Sequence, residues 1–115
     1  MSEKPSKIDR LHHILEAIDR ILKFVEEMEY EDFVNNEMAQ FAVIKNFEII
    51  GEAAYYLPKE YRIANGQVIE WRKIIAFRHI LVHDYYKINT AIVWKAIRGK
   101  LIDLKGEIEK LAENE

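Results

Sequence analysis

Residues 7–29, KIDRLHHILEAIDRILKFVEEME, decide the fold class. Ile8, Leu11, Leu15, Ile18, Leu22 and Val25 recur at intervals of 3, 4, 3, 4 and 3 residues. A helix returns to one face at that period, whereas a strand does so every second residue. Ile14, Ile21 and Met28 run beside this stripe and widen it. So broad a stripe predicts burial against two neighbours rather than one.

The same period continues outward from this segment. A second helix is expected from about Asn36 to Leu57, with Val43, Phe47, Ile50, Ala54 and Leu57 on one face and Pro58 as its stop. Gly51 sits in its middle, where glycine costs about 1 kcal/mol relative to alanine. Close approach of another helix backbone is the structural reason to keep it there. Residues 58–67 form a polar connection with room for one short helical turn, and Asn65-Gly66 marks a turn. A third helix is expected from about Val68 to His83, with Trp71, Ile74, Ile75, Leu81 and Val82 as its apolar face. The last opens near Asn89 or Thr90, both good N-caps, and runs to about Ala112. Its stripe is Trp94, Ile97, Leu101, Leu104, Ile108 and Leu111. The expected fold is all-α: an antiparallel, up-and-down bundle of four main helices, with residues 1–115 as a single domain.

Composition narrows the function classes. In 115 residues, half are apolar and 32% are charged, as in a soluble globular domain. No apolar run approaches the ~18 residues that span a bilayer. The N-terminal residues lack a signal peptide's apolar stretch, so a cytoplasmic location and no membrane partner are expected. The absence of cysteine excludes disulfides, thiol nucleophiles and Cys-ligated zinc. Seventeen Lys and Arg against 20 Asp and Glu give a net charge of −3. That balance argues against a uniformly basic nucleic-acid binder and leaves room for a local basic site.

Chemistry enters where the third helix breaks its own pattern. Trp71, Ile74, position 78 and Leu81 are spaced 3, 4 and 3, and position 78 is Arg78. An arginine on an apolar stripe is costly unless it is paired or reaches solvent. His83 follows five residues later at the expected helix end, then Asp84 and Tyr85. A guanidinium presents a fixed charge and a donor fork that matches phosphate oxygens. A histidine takes or gives a proton near neutral pH. Together they suit phosphodiester cleavage: activation of an RNA 2′-hydroxyl and stabilisation of pentavalent charge, with no cofactor and no metal expected. A symmetric dimer facing two copies of the pair would supply both acid and base.

Plainer readings use the same residues. Arg78 pairing with Glu48 or Glu52 would make it structural, or would orient it for catalysis; buried pairs of this kind are weak evidence of stability. His79 and His83 stand at metal-ligand spacing, but no glutamate follows the first histidine and the spacing is read as coincidental. Tyr85 and Tyr86 would cap the core in a structural reading. His12 and His13 are expected at the surface. Arg72, Lys73, Arg78 and Lys87 against Glu70 and Asp84 make a modest basic excess, read as a solvated face.

The run from Trp71 to Tyr85 resembles the signature of HEPN domains, and specifically of HepT, the toxin half of HEPN/MNT toxin–antitoxin modules. The family motif Arg-x4-His-x-Tyr is matched by Arg78, His83 and Tyr85. Ile50-Gly51-Glu52-Ala53 and the pair Ile88 and Trp94 are also similar, and the likeness covers roughly residues 7–111. It implies a metal-independent endoribonuclease with catalytic Arg78 and His83 in a cleft at a homodimer interface. It implies a partner, a small MNT-type nucleotidyltransferase antitoxin, that silences a type VII-like toxin by transferring AMP to Tyr85. The family usually has asparagine after the arginine, where this sequence has His79. His79, Glu48, Glu52 and Asp84 are counted as supporting residues. Two other classes compete: a non-catalytic nucleotide- or substrate-binding subunit of a nucleotidyltransferase, and a purely structural helical dimer.

Overall fold

A computed structural model describes residues 4–84 and 88–115. Its helices are α1 (Lys7–Phe24), α2 (Tyr30–Val34), α3 (Glu37–Tyr55), α4 (Lys59–Ala64), α5 (Trp71–His83), α6 (Thr90–Gly99) and α7 (Leu101–Glu113). Helices α1, α3, α5 and the α6–α7 pair are the four rods of the expected all-α bundle. Among the described residues no helix is long and apolar enough to cross a membrane.

Helix α1 is the central rod. It starts in a reciprocal cap: the Asp9 N–H donates to Ser6 Oγ at 3.2 Å, and the Ser6 N–H donates to Asp9 Oδ2 at 2.9 Å. Leu11, Ile14, Ala17, Ile18 and Ile21 are buried, and α1 packs on both α3 and α7. The two neighbours foreseen from its broad stripe are these. The helix ends at Phe24 and not at Glu29. Glu26 and Glu27 follow, and negative charge at a helix C-terminus opposes the backbone dipole.

The short α2 was not foreseen. A Glu29–Asp32 cap opens it, with the Glu29 N–H on Asp32 Oδ2 at 2.9 Å. Five residues carry no countable period, so tertiary contacts define it. Phe33 is fully buried and stacks on Trp94 with ring centroids 5.3 Å apart. Arg98 lies over the same Trp94 ring at 4.5 Å and donates from Nη2 to the Met28 carbonyl at 2.7 Å.

Helix α3 is capped by Asn36, whose Oδ1 accepts from the Ala39 N–H at 2.9 Å. It stops at Tyr55, and Pro58 serves as N-cap of α4, the short helix allowed for in residues 58–67. Its buried polar residue, Asn46, is satisfied: Nδ2 donates to the Ala42 carbonyl at 2.8 Å and Oδ1 accepts from Arg20 at 3.3 Å. The third rod begins at Trp71, three residues later than expected.

The last rod opens at the expected cap, Asn89, whose Oδ1 accepts from the Ala91 N–H at 2.8 Å. It is not one continuous helix. Lys100 separates α6 from α7 just after Gly99, a weak helix former. Hydrogen bonds still bridge the break, from Lys100 to Ala96 and from Leu104 to Lys100. Ile97, Leu101 and Ile108 therefore stay buried in phase on one face.

Candidate active site

Helix α5 carries the arginine and both histidines. It is anchored by buried Trp71 at its start and Leu81 near its end, with Ile74, Ile75 and Phe77 half-buried between them. Val82, expected on this apolar face, is 38% exposed. It stands about 40° from Arg78 around the helix, so the arginine's own ridge is open to solvent on its C-terminal side. Glu70 caps the N-terminus and binds Lys73 at 2.6 Å. The hydrogen bond and charge of Lys73 hold the Glu70 carboxyl below its ordinary range. The helix ends at His83, with the Asp84 N–H on the Ile80 carbonyl at 2.8 Å.

Arg78 is seated by the absence of a side chain across the seam. A Cβ on Gly51 would lie 2.1 Å from Arg78 Cβ, 2.8 Å from its Cγ and 3.3 Å from the Ile74 carbonyl oxygen. Only a glycine lets α3 and α5 cross this closely with an arginine between them. The close approach expected at Gly51 is thus a contact with α5 at Arg78. One turn away, Phe47 and Phe77 meet edge to face at 5.2 Å and fix the register.

The arginine is half-buried, and its Nε is buried with no hydrogen-bond partner among the described residues. A buried donor left unpaired costs about 1–3 kcal/mol. Tyr61 Oη, Arg62 Nε and Trp71 Nε1 are buried without a partner in the same way, and at Arg78 an incoming acceptor is one way to meet the donor. Neither Glu48 nor Glu52 supplies it: among the described residues, no carboxylate lies within ion-pair distance of Arg78. Glu48 is half-buried and Glu52 exposed on α3, on either side of Gly51.

His83 is exposed at the helix end, about 7.5 Å along the axis from Arg78 at 1.5 Å per residue. His79, also exposed, stacks near it with ring centroids 4.4 Å apart and planes 45° apart. Exposed Ile80 and Val82 flank the pair. Asp84 is half-buried. Tyr85, the expected AMP acceptor, lies outside the described residues, as do Tyr86 and Lys87. Arg72 and Lys73 are exposed, as a solvated face requires, and so is His12, while His13 is half-buried.

A groove of about 850 Å³ opens on the other flank of α5, between it and the α6–α7 rod. Ile74, Phe77, Ile92 and Leu104 line it, and Arg78, His79 and His83 do not. The candidate site is therefore an open surface at a helix end. A guanidinium without a carboxylate partner among the described residues and an exposed imidazole on one helix have the chemistry to hold a phosphate and move a proton.

These features define a helical-bundle protein whose α5 carries a half-buried arginine and, at its end, an exposed histidine. The chain belongs to the HepT-like ribonuclease family, whose sequence profile matches residues 14–111. It is 38% identical, over 94% of its length and 97% of the relative's, to a Thermococcus cleftensis protein with the provisional name ribonuclease HepT. It is 34% identical to a provisionally named RNase of Methanocaldococcus jannaschii, over 86% of this chain and 90% of that one. A third relative, from Caldanaerobacter subterraneus, is also provisionally named an RNase and is 32% identical over 91% of this chain and 93% of its own. No solved structure matches the chain significantly.

Proposed function

We propose that this chain is a metal-independent endoribonuclease in which Arg78 and His83 cleave RNA. The ribonuclease class follows from the family; the roles of the residues rest on the site. The observation that carries them is the Arg78 Nε, held at the Gly51 crossing without an acceptor, on the helix that ends in an exposed His83. His83 takes the proton of the 2′-hydroxyl as O2′ attacks phosphorus. The P–O5′ bond breaks, leaving a 2′,3′-cyclic phosphate and a 5′-hydroxyl. Arg78 holds the charge that develops on the phosphoryl oxygens.

One imidazole serves as the base, and protonation of the leaving O5′ needs an acid. A homodimer that faces two motifs supplies the partner's histidine in that role. Exposed Ile80 and Val82 beside the imidazoles support a partner face at this end of α5. In the same reading the chain is the toxin of a cytoplasmic, type VII-like HEPN/MNT module. An MNT-type nucleotidyltransferase silences it: the Tyr85 hydroxyl attacks the α-phosphate of ATP, and pyrophosphate leaves. The modified tyrosine, two residues from His83 in the sequence, would add a bulky anion to the motif. His79 and Asp84 flank His83, and Glu48 and Glu52 stand on α3 on either side of Gly51 without an ion pair to Arg78 among the described residues.

The test is cleavage of single-stranded RNA in excess chelator, with the mass of the chain checked for an unmodified Tyr85. The parent is expected to cleave, and His83→Ala to lose about 10²–10⁴-fold in rate. His83 is exposed, so the variant's melting temperature should match the parent's. No cleavage by either chain across several RNAs would transfer the reading to a nucleotidyltransferase-binding subunit without catalysis.

A further inference from the structure

We infer that His79 and His83 form a two-histidine binding site for a late first-row divalent cation, of which Zn²⁺ is the probe. Both imidazoles project from the last turns of α5, four residues apart, and both are exposed. Their centroids are 4.4 Å apart and their planes are tilted by 45°. Two nitrogens on one tetrahedral zinc, at bonds of about 2.05 Å, stand roughly 3.3 Å apart. Two histidines four residues apart on one helix face stand at the spacing by which helical sites hold one zinc, and these two rings already lie side by side. Among the described residues, neither ring is engaged in a hydrogen bond or an ion pair that ligation would have to break.

The chemistry selects the class of ion. Imidazole suits zinc, copper and nickel, whereas magnesium and calcium prefer oxygen ligands. Two protein ligands leave the remaining positions to water, so binding is reversible and weaker than in a closed four-ligand site. The spacing read as coincidental in the sequence is, in this proposal, that of a ligand pair, with no third protein ligand among the described residues.

The consequence for activity rests on the ribonuclease reading above. His83 would contribute the nitrogen that accepts the 2′-hydroxyl proton. A zinc ion on that nitrogen occupies its lone pair, so the cation acts as an off-switch and takes no part in cleavage. His79, which the proposed cleavage does not use as its base, is the residue that creates the switch in this chain.

Calorimetric titration of the full chain with zinc chloride tests the site independently of any nuclease activity. Saturable binding is expected, weakened at least tenfold by His79→Asn and by His83→Asn and unchanged by His12→Asn, with no binding of Mg²⁺. All three histidines are exposed, so the variants should keep the parent's circular dichroism and melting. Absence of saturable Zn²⁺ binding, or binding that survives His79→Asn, overturns the site. In the second arm, the ratio of cleavage rates with and without Zn²⁺ should fall with occupancy and recover on adding chelator. In His79→Asn that ratio should stay near one at the same Zn²⁺ concentration. Zinc that binds without slowing cleavage overturns the switch and keeps the site. A parent that cleaves no RNA strikes the ribonuclease reading, and the titration still judges the site.

Discussion

Helix α3 has two seams, and they are built on different terms. The face that sets Asn46 against Arg20 of α1 also carries Val43, Ile50 and Ala53, none more than 3% exposed. Its one buried polar side chain has both a donor and an acceptor partner. The face toward α5 carries Gly51, an edge-to-face pair of phenylalanines, and an arginine whose Nε has no partner. Beyond that arginine, α5 runs out into solvent with Ile80, Val82 and two histidines uncovered. The first seam is satisfied, so its residues serve stability. The second holds an unmet hydrogen-bond donor in place, which costs stability and which the proposed function would pair with an acceptor from outside. Such trade-offs recur where binding groups must be held ready.

Substitutions in the first seam should have the largest effect on folding. Ile18→Ala removes a fully buried side chain from α1. It should cost about 2–5 kcal/mol, a large part of the roughly 5–15 kcal/mol a domain has. A urea unfolding midpoint measures this. Cleavage per folded molecule should match the parent.

Gly51→Ala comes next and breaks the separation between the seams. The new methyl would meet Arg78 Cβ at 2.1 Å, which rotation of a flexible end cannot relieve. Overpacking of this kind costs about 1–3 kcal/mol. Because α3 and α5 must part at Arg78, cleavage should fall more than the loss of folded protein explains. If stability drops and cleavage per folded molecule holds, the crossing does not position the arginine.

Arg78→Met reverses the sign on stability. The variant keeps the aliphatic stem against Gly51 and removes the orphaned Nε. Replacing an unsatisfied buried donor with an apolar group should leave stability unchanged or raise it by about 1 kcal/mol. Cleavage should be abolished. A clear loss of stability would instead show that the guanidinium is structural.

The two seams also differ in how much of them the sequence discloses. Val43, Phe47, Ile50, Ala54 and Leu57 are all buried, because a helical period maps directly onto burial when the neighbour is apolar. The exposed Val82 breaks that rule, since α5 is covered on one side only. The five-residue α2 was invisible because Trp94 and Arg98, some 60 residues distant in the chain, fix it. The α6–α7 break was missed because the stripe keeps its phase across Gly99. At the candidate site, Arg78 stood out as a polar residue on an apolar stripe, and Gly51 as a costly glycine. Their contact joins two helices 27 residues apart, and periodicity within either helix cannot show it. The pairing of Arg78 with Glu48 or Glu52 was open for the same reason, and the structure does not form it.

The smallest expected effect compares two carboxylates at helix starts, one on each rod. Asp9 opens α1 and is held below its ordinary range first by the Ser6 backbone N–H. Glu70 opens α5 and is held low first by Lys73, whose side chain is 72% exposed. A lowered folded value means the carboxylate contributes stability above its unfolded pKa of about 4. That contribution disappears as pH falls through the lower folded value. Both Asp9→Asn and Glu70→Gln should therefore lower the melting temperature slightly at pH 7 and flatten its fall below about pH 4. Salt separates them. A Debye length near 3 Å in 1 M salt screens an exposed ion pair, whereas a backbone hydrogen bond within a capping box does not depend on ionic strength in that way. In 1 M NaCl the deficit of Glu70→Gln should vanish and that of Asp9→Asn should persist. Equal loss of both would mean that the start of α1 is held by charge alone, and that the two rods begin on the same terms.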